Sequence, residues 1–514
     1  MLKTASRPIT PVPPTPSAAC DEARRAHSTL SAKSMAFARI RFLHEHALLG
    51  VGFCRRFPPG FKFGAATAAY QVEGAWNVSD KSASIWDTFV HTRPEIIADR
   101  SNGDVACDSY NQWMRDVEIA SELGLDFYRF SLSWPRILPY GFANKISEDG
   151  VKFYTNLIDA LLERGIEPVV TIYHWDLPQN LQDLGEFRRS AYTDSVKVKN
   201  KLFIMYRTKR AEKMAGIYQT PENPFLKMEN PMSVTTPQDP GTPYDKEFRP
   251  KYIGKVSLTN QIMWFEGADE NDGEAAELAL QLMGGMYSHP IFSKKGGWPK
   301  KVENLIAEKS KKEGYPQSRL PEFTKEEKEL IKGTYDFFGL NYYTSRIARR
   351  ARGEVVGPWP LKGGPDIDVK TSVRPEWPQA GTSWFYVHPQ GLRKLISWVK
   401  EQYGDIEIFI AENGFATHGQ DLDDQVRVDY YKSHLEQVHL AIEEDKANVV
   451  AYTAWTMIDN FEWSDGYRSK FGLYEVDFSD PARARRPRAS AHYYKEIVKA
   501  KSLDVDSHVL NDEL

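Results

Sequence analysis

The chain has 514 residues, of which 41% are apolar and 26% charged, and its 66 basic and 70 acidic side chains give a formal net charge of −4. This balance is typical of a globular protein and implies neither a polyanion-binding face nor an acidic tail. Cys20, Cys54 and Cys107 are too few for a disulfide framework and lack metal-ligand spacing, and no apolar run approaches the length of a membrane span.

The first 56 residues are predicted to form a disordered leader. They contain five prolines before residue 17, followed by a stretch rich in Ser, Ala and Arg. The one apolar segment, 47–53, is short and lies too far from the start for an ordinary secretory signal. This part of the sequence therefore gives no sign of secretion.

From Phe57 onwards, short apolar segments alternate with amphipathic ones. The predicted strands are 61–70, 127–134, 167–175, 255–259, 336–345, 407–414 and 449–457. The predicted helices include 113–123, 150–164, 391–403 and 426–444. This alternation indicates βαβ units, and their number favours a (β/α)8 TIM-type barrel over a doubly wound sheet. We predict one domain over 57–500 and a C-terminal tail over 501–514.

One unit of the predicted barrel has no clear counterpart in the sequence. Residues 188–213 hold nine basic and two acidic residues, and residues 221–243 hold six prolines. We predict that the fourth β/α unit is missing or replaced by an irregular insert over 186–243, with one basic helix around 196–215. The apolar piece 202–206 is a makeshift strand candidate that we do not adopt.

Polar and aromatic residues follow the predicted strands at their C-terminal ends. Glu412 ends the apolar run that begins at Ile408, just before Gly414. The other strand ends carry Gln71, Arg129, His174, Tyr343 and Trp455. Because a barrel gathers these ends on one face, we expect the side chains to surround one pocket.

Several segments resemble the motifs of glycoside hydrolase family 1, the β-glucosidase family, in its animal or insect form. The matching segments, in chain order, are 61–74 (FKFGAATAAYQVEG), 128–131 (YRFS), 173–178 (YHWDLP), 338–345 (FGLNYYTS), 411–414 (AENG) and 459–463 (DNFEW). The resemblance covers about 57–185 and 244–500. It implies a retaining β-glucosidase that acts on a small β-glycoside, with no cofactor, no metal, no nucleic-acid partner and no membrane partner. It does not indicate the oligomeric state.

The resemblance assigns a role to each matching residue. Glu412 is the implied nucleophile, and Arg129 and Tyr343 hold its carboxylate ionised and oriented. The hydroxyls of the non-reducing sugar are implied to contact Gln71, His174, Glu462 and Trp463. Trp455 is the implied stacking floor of the sugar.

The general acid/base of the family has no match in this sequence. Family members carry Thr-Phe-Asn-Glu-Pro after the fourth strand, and residues 176–255 contain neither this motif nor a plausible variant. Retaining hydrolysis needs two carboxyl groups about 5–5.5 Å apart, and one of them protonates the leaving oxygen. We therefore find no acid/base residue.

Three interpretations of this departure remain open. The chain is a weakly active β-glucosidase that needs activated substrates, a non-catalytic sugar-binding protein, or a faulty translation in which intron-like sequence replaces exons across 186–243. The third is favoured, with β-glucosidase as the function of the intact counterpart. The resemblance also implies an extracellular or ER/lysosomal location, and residues 511–514 (NDEL) resemble an ER-retention signal.

Overall fold

Eight strands form a closed barrel. The computed structural model describes residues 55–184, the backbone of 204–208, and residues 254–419 and 421–505. The strands are β1 (Lys62–Ala66), β2 (Phe127–Ser131), β3 (Glu167–Thr171), β4 (Ile204–Thr208), β5 (Gly254–Gln261), β6 (Trp264–Gly267), β7 (Phe338–Asn341), β8 (Ser345–Arg350), β9 (Gly363–Gly364), β10 (Val369–Ser372), β11 (Ile408–Asn413), β12 (Val449–Trp455), β13 (Tyr474–Val476) and β14 (Arg485–Pro487). Around the barrel, the order is β1-β12-β11-β7-β5-β4-β3-β2.

Helices connect most of the strands and cover the outside of the barrel. They are α1 (Ala69–Val72), α2 (Ile85–Thr92), α3 (Ser109–Glu122), α4 (Trp134–Ile137), α5 (Glu148–Glu163), α6 (Gln179–Asp183), α7 (Gly273–Leu280), α8 (Met286–Phe292), α9 (Lys300–Lys312), α10 (Lys325–Ile331), α11 (Pro389–Tyr403), α12 (Gln425–Glu443) and α13 (Ala489–Ala500). A π-helical turn, Gln281–Gly285, joins α7 to α8. The apolar face of α11 shows the pattern, since Leu392, Leu395 and Ile396 are fully buried.

The predicted fold class is confirmed. Each of the seven predicted strands overlaps a barrel strand, and each of the four predicted helices matches an observed one to within a turn or so. Neighbouring strands of these seven run parallel, as in the pairing of β1 with both β12 and β2. The strands are short because the chain turns into the site loops as soon as the apolar run ends; α1, for example, follows β1 after two residues.

The fourth position of the barrel is occupied by a strand from the predicted insert, and two predictions about the insert are wrong. Residues Ile204–Thr208 form β4, so the expected basic helix over 196–215 is wrong there, and the rejected strand candidate is close to the observed one. β4 pairs antiparallel with both β3 and β5, against the direction of the other barrel strands. The physical reason is that the edges of β3 and β5 that face each other would otherwise keep unpaired backbone N–H and C=O groups. An apolar segment with strand propensity can form hydrogen bonds with both edges.

Smaller elements complete the described structure. β6, β8, β10 and β9 form a separate four-stranded sheet. The described residues between Phe57 and Val505 belong to one compact unit. The predicted leader up to Cys54, most of the insert and the end of the tail lie outside the described residues. None of the helices that the structure describes is long and apolar enough to cross a membrane.

Candidate active site

Glu412 lies near the carboxyl end of β11, where the barrel opens into a cavity. The whole strand is buried, and Glu412 is only 5% exposed. The pairing of β11 with β7 shifts register between Ile410 and Glu412, which re-aims the side chains at the strand end. Gly414 follows because the backbone of Trp455 passes so close that a Cβ there would lie 1.7 Å from its carbonyl oxygen.

Two donors hold the two carboxylate oxygens of Glu412. Arg129 Nη1 donates to Oε1 at 2.5 Å, and the Tyr343 hydroxyl donates to Oε2 at 2.8 Å. The same Arg129 nitrogen reaches the carbonyl oxygen of Ala411 at 3.1 Å, and Nε donates to Thr171 Oγ1 at 3.1 Å. Burial, and next the charge of Glu412, raise the pKa of Tyr343 well above its usual value, so the phenol remains a donor. The plane of the carboxylate is therefore fixed from both sides.

Gln71 and Glu462 form a polar pair at one side of the cavity. Gln71 Nε2 donates to Asn460 Oδ1 at 2.8 Å and to the Phe461 carbonyl at 2.9 Å, and it lies 3.4 Å from Glu462 Oε2. Gln71 Oε1 is buried and accepts no hydrogen bond from the described residues. Burial, followed by the charge of Glu412, raises the pKa of Glu462 to about 8. The pair thus offers an acceptor and, at neutral pH, a protonated carboxyl group.

His174 lies between two tryptophan rings. Its ring is stacked on Trp455, with centroids 5.9 Å apart, and on Trp463, with centroids 6.0 Å apart; both interplanar angles are below 10°. Burial lowers the pKa of His174 to about 4, against the opposing effect of Glu412. At neutral pH the imidazole is uncharged and carries one N–H donor and one acceptor nitrogen. Flat aromatic faces and a neutral donor–acceptor group suit a ring that bears hydroxyls.

Glu412, its two donors, Glu462, His174 and the two tryptophans line a cavity of about 770 Å³. That volume is within the range of sites for drug-sized ligands, roughly 300–1,000 Å³. Among the described lining residues, the carboxylates are Glu412, Glu462 and Asp366. Asp366 is ion-paired with Arg319 at 2.6 Å. The predicted absence of an acid/base residue concerns the insert, most of which lies outside the described residues.

The structure brings the eight sequence-predicted site residues to this cavity. Seven of them line it: Arg129, His174, Tyr343, Glu412, Trp455, Glu462 and Trp463. Gln71 is attached to this lining through its contact with Glu462. The assignment of catalytic and binding roles to these residues stays a prediction.

Some residues that line the cavity were not predicted from the sequence. Asn341 ends β7 inside the motif 338–345, and its Oδ1 is buried without a partner among the described residues. Its position at a strand end is a signal that would have identified it. Trp384 and Trp359 come from long connections, and Met283 comes from the π-helical turn. For these three residues the sequence has no local pattern that distinguishes a cavity position from a core position.

Comparisons with known proteins show which family this chain resembles. The model of Glycosyl hydrolase family 1 matches residues 54–210 and 242–503. Myrosinase 1 of Brevicoryne brassicae is 40% identical over 464 residues, which cover 86% of this chain and 98% of the relative. The cytosolic β-glucosidase of Homo sapiens is 39% identical over 475 residues, which cover 87% of this chain and 99% of the relative.

Solved structures show the same similarity. Aphid myrosinase matches with a TM-score of 0.74 and 36% identity, over 87% of this chain and 99% of that chain. A β-glucosidase of the fungus Humicola insolens, solved in complex with glucose, matches with a TM-score of 0.69 and 30% identity, over 87% of this chain and 98% of that chain. The match extends over nearly the full length of these proteins.

Proposed function

We propose that this chain, which belongs to glycosyl hydrolase family 1, cleaves activated β-glucosides with retention of configuration and acts slowly on ordinary ones. The observation that carries the proposal is the clamped carboxylate of Glu412. A nucleophile must present one oxygen at a fixed angle, and Arg129 and Tyr343 hold both oxygens by 2.5 Å and 2.8 Å contacts.

In the proposed first step, a Glu412 oxygen attacks the anomeric carbon. The bond from that carbon to the glycosidic oxygen breaks, and the aglycone leaves with the electron pair. A water molecule then attacks the same carbon from the face opposite Glu412, the bond from that carbon to the Glu412 oxygen breaks, and one proton of the water passes to solvent, so the original configuration is restored. Arg129 stays paired with the carboxylate when it is released as a leaving group, which favours that second step.

The sugar is proposed to lie against Gln71, His174, Glu462 and the two tryptophans. The unpartnered Gln71 Oε1 accepts a sugar hydroxyl, and the neutral His174 donates to or accepts from another. Trp455 offers an aromatic face to the sugar ring. Human and fungal relatives with β-glucosidase names support glucose as the sugar.

The rate is proposed to depend on the leaving group. The sequence between 176 and 255 lacks the family's Asn-Glu-Pro motif. Without a positioned general acid, a reaction typically loses about 10²–10⁴-fold in rate. A dinitrophenyl glucoside bypasses this loss because its leaving group departs as a stable anion, whereas a disaccharide does not.

A trapping experiment tests the proposal. Protein is incubated with 2,4-dinitrophenyl β-glucoside, with and without azide, and the sugar product is identified. Azide attacks the ester on Glu412 from the free face, so we expect β-glucosyl azide and faster turnover. The Glu412→Ala variant cannot form the ester, so it is expected to give no β-glucosyl azide. Binding of glucose without any turnover would support the non-catalytic sugar-binding alternative and contradict the proposal.

We also propose the location that the family resemblance implies, outside the cell or in the ER or lysosome, and a second experiment tests it. Asn77 begins the sequon Asn77-Val78-Ser79 and is exposed in a turn. Expression in an insect cell line followed by mass spectrometry is expected to find a glycan on Asn77, and none on the Asn77→Gln variant. An unmodified Asn77 would contradict passage through the ER and agree with the cytosolic location in the name of the human relative.

A further inference from the structure

Glu462 and Trp463 belong to a turn that follows the last barrel strand. β12 ends at Trp455, and the turn contains a short 3₁₀ segment, Trp463–Asp465. The Glu462 amide closes the turn by donating to the Gly466 carbonyl at 2.7 Å. The backbone of Trp463 has a φ angle of +51°, in the left-handed region that a tryptophan rarely adopts. Such a conformation persists only where the surrounding structure holds it.

A small apolar cluster packs against this turn. Its buried members are Tyr70, Val90, Ile97 and Phe461, and it is separate from the core of the barrel. The Trp463 ring packs on this cluster, stacked on Tyr70 with centroids 6.2 Å apart and an interplanar angle of 9°. Because apolar contacts are non-directional, the cluster buries the turn but does not fix the orientation of its polar groups.

Three hydrogen bonds to the loop between α2 and α3 fix the turn. The Ala98 amide donates to the Ser464 carbonyl at 2.8 Å, and the Tyr467 hydroxyl donates to the Asn102 carbonyl at 2.7 Å. The Tyr467 amide donates to Asp99 Oδ2 at 2.7 Å. Asp99 is the one side chain that the loop contributes to these bonds. Its bond is also the strongest in kind, since the acceptor is a carboxylate.

Asp99 is itself held in place. Its other oxygen, Oδ1, accepts the Ser101 amide at 3.0 Å and the Ser101 hydroxyl at 2.5 Å. The carboxylate lies so close to Gly466 that a Cβ there would overlap it, and Gly466 has a φ angle of +62°. This approach therefore requires glycine at position 466. One carboxylate thus joins the loop to the turn through both of its oxygens.

We propose that Asp99 is a positioning residue for the sugar site: it holds the turn that presents Glu462 and Trp463, and so sets the affinity for the sugar without touching it. This inference rests on the proposed function. Asp99 is not among the described residues that line the cavity, and it acts through the Tyr467 amide. Without Asp99, that amide loses its acceptor, and the turn is free to relax from the conformation that places Glu462 and Trp463 in the cavity.

The nucleophile is held by other contacts. Glu412 lies on β11 and is bonded to Arg129 and Tyr343. Loss of Asp99 should therefore raise KM and leave kcat nearly unchanged, as expected when binding shared by the ground state and the transition state is lost. A residue needed only for folding would instead reduce the amount of active protein, so that kcat per total protein falls while KM stays the same.

Calorimetric titration of the full chain with methyl β-thioglucoside measures the affinity for the sugar without requiring turnover. We expect Asp99→Ala to bind this probe about 5- to 50-fold less tightly than the native chain, with the same number of sites per chain. Asp99→Asn can keep one oxygen on the Tyr467 amide, so it is expected to lose only about two- to fourfold. The KM for dinitrophenyl glucoside should rise by similar factors in the two variants.

Asp477→Ala is the matched control. Asp477 Oδ1 accepts the amide and the hydroxyl of Ser479, at 3.0 Å and 2.6 Å, as Asp99 Oδ1 does with Ser101, but these bonds lie between β13 and β14. This variant should change neither the affinity nor kcat. Gly466→Ala disturbs the same contact as Asp99→Ala from the other side. The double variant should therefore lose less affinity than the two single variants together.

The outcomes separate this inference from the proposed function. Equal affinities of Asp99→Ala and the control, or fewer sites of unchanged affinity, would overturn the positioning role and leave the sugar site supported. If a thermal melt shows that Asp99→Ala is unfolded, Asp99→Asn decides, and a native affinity in that variant overturns the role. Binding that depends on Asp99 without turnover of dinitrophenyl glucoside would support the role and contradict the proposed hydrolysis. If the native chain does not bind methyl thioglucoside, both are wrong.

Discussion

The hydroxyl of Tyr343 donates a 2.8 Å hydrogen bond to Glu412 Oε2 across the adjoining ends of β7 and β11. The two strands pair in parallel, with Glu412 opposite Asn341. Tyr343 follows two residues later and reaches back over the strand end to the carboxylate. Barrel geometry thus joins two groups that lie 69 residues apart in sequence.

Removing this hydroxyl is expected to reduce catalysis more than stability. A hydrogen bond to a charged group contributes about 1.5–3 kcal/mol, so Tyr343→Phe should lower kcat/KM for dinitrophenyl glucoside by about 10- to 100-fold. Tyr342→Phe is the matched control, because the Tyr342 hydroxyl contacts Ser345 and the His388 carbonyl, away from the cavity. Equal losses of activity in the two variants would contradict a specific role for Tyr343.

The ion pair between Arg129 and Glu412 predicts non-additive effects on folding. Both residues are at least 93% buried as side chains, so Arg129→Met leaves a buried charge without its partner and should cost about 3–5 kcal/mol in free energy of unfolding. Glu412→Gln removes that charge, and the double variant should recover part of the loss. Urea denaturation of the four proteins measures this cycle. Strictly additive changes would show that the pair is not coupled.

Glu462 predicts a pH dependence of stability. Its pKa is raised from about 4.5 to about 8 in the folded protein, mainly by burial, so the folded protein keeps a proton that the unfolded chain releases. The free energy of unfolding should therefore fall as pH rises from about 4.5 to 8. Glu462→Gln is neutral throughout, and its stability relative to the native chain should increase over the same interval.

Thermal melts at several pH values measure this difference. Glu118→Gln, on the exposed surface of α3, is the control, and its difference from the native chain should stay nearly constant with pH. A Glu462→Gln difference that is equally constant would show that Glu462 is ionised in the folded protein at neutral pH.

Much of the barrel and the site could be predicted because local sequence determines both. An apolar run ended by Gly414 or by a polar residue defines a buried strand and also places its last side chain at the rim, as for Glu412 and Arg129. β4 could not be predicted in this way. Its residues include Arg207 and Thr208, so it lacks a continuous apolar run. It forms a strand because it pairs with the edges of β3 and β5.

β4 itself is open to a direct test. Tyr206 pairs with Val170 on one side and with Val256 on the other. Tyr206→Pro removes the backbone N–H from a strand that has neighbours on both edges and should lower the free energy of unfolding by about 2–3 kcal/mol. Tyr206→Ala keeps the N–H and is the control. Equal stability of the Pro and Ala variants, measured by urea denaturation, would show that residues 204–208 do not form a barrel strand.

A series of aryl glucosides tests whether the chain lacks a general acid. Without an acid, negative charge accumulates on the leaving oxygen in the transition state, so kcat/KM should fall steeply from dinitrophenyl through nitrophenyl to phenyl β-glucoside. With an acid, the proton cancels this charge and the rate depends weakly on the aglycone. Glu462 is the one described carboxyl group beside Glu412 whose pKa of about 8 would keep it protonated at neutral pH.

The same series on Glu462→Gln therefore decides whether Glu462 supplies the proton. We expect the variant to bind the sugar less tightly, because Glu462 belongs to the sugar side of the cavity with Gln71. We also expect the slope of rate against leaving-group pKa to equal that of the native chain, since a residue that holds hydroxyls affects all aglycones alike. A shallow slope in the native chain that becomes steep in Glu462→Gln would identify Glu462 as the acid and overturn the interpretation of a nucleophile without a proton donor.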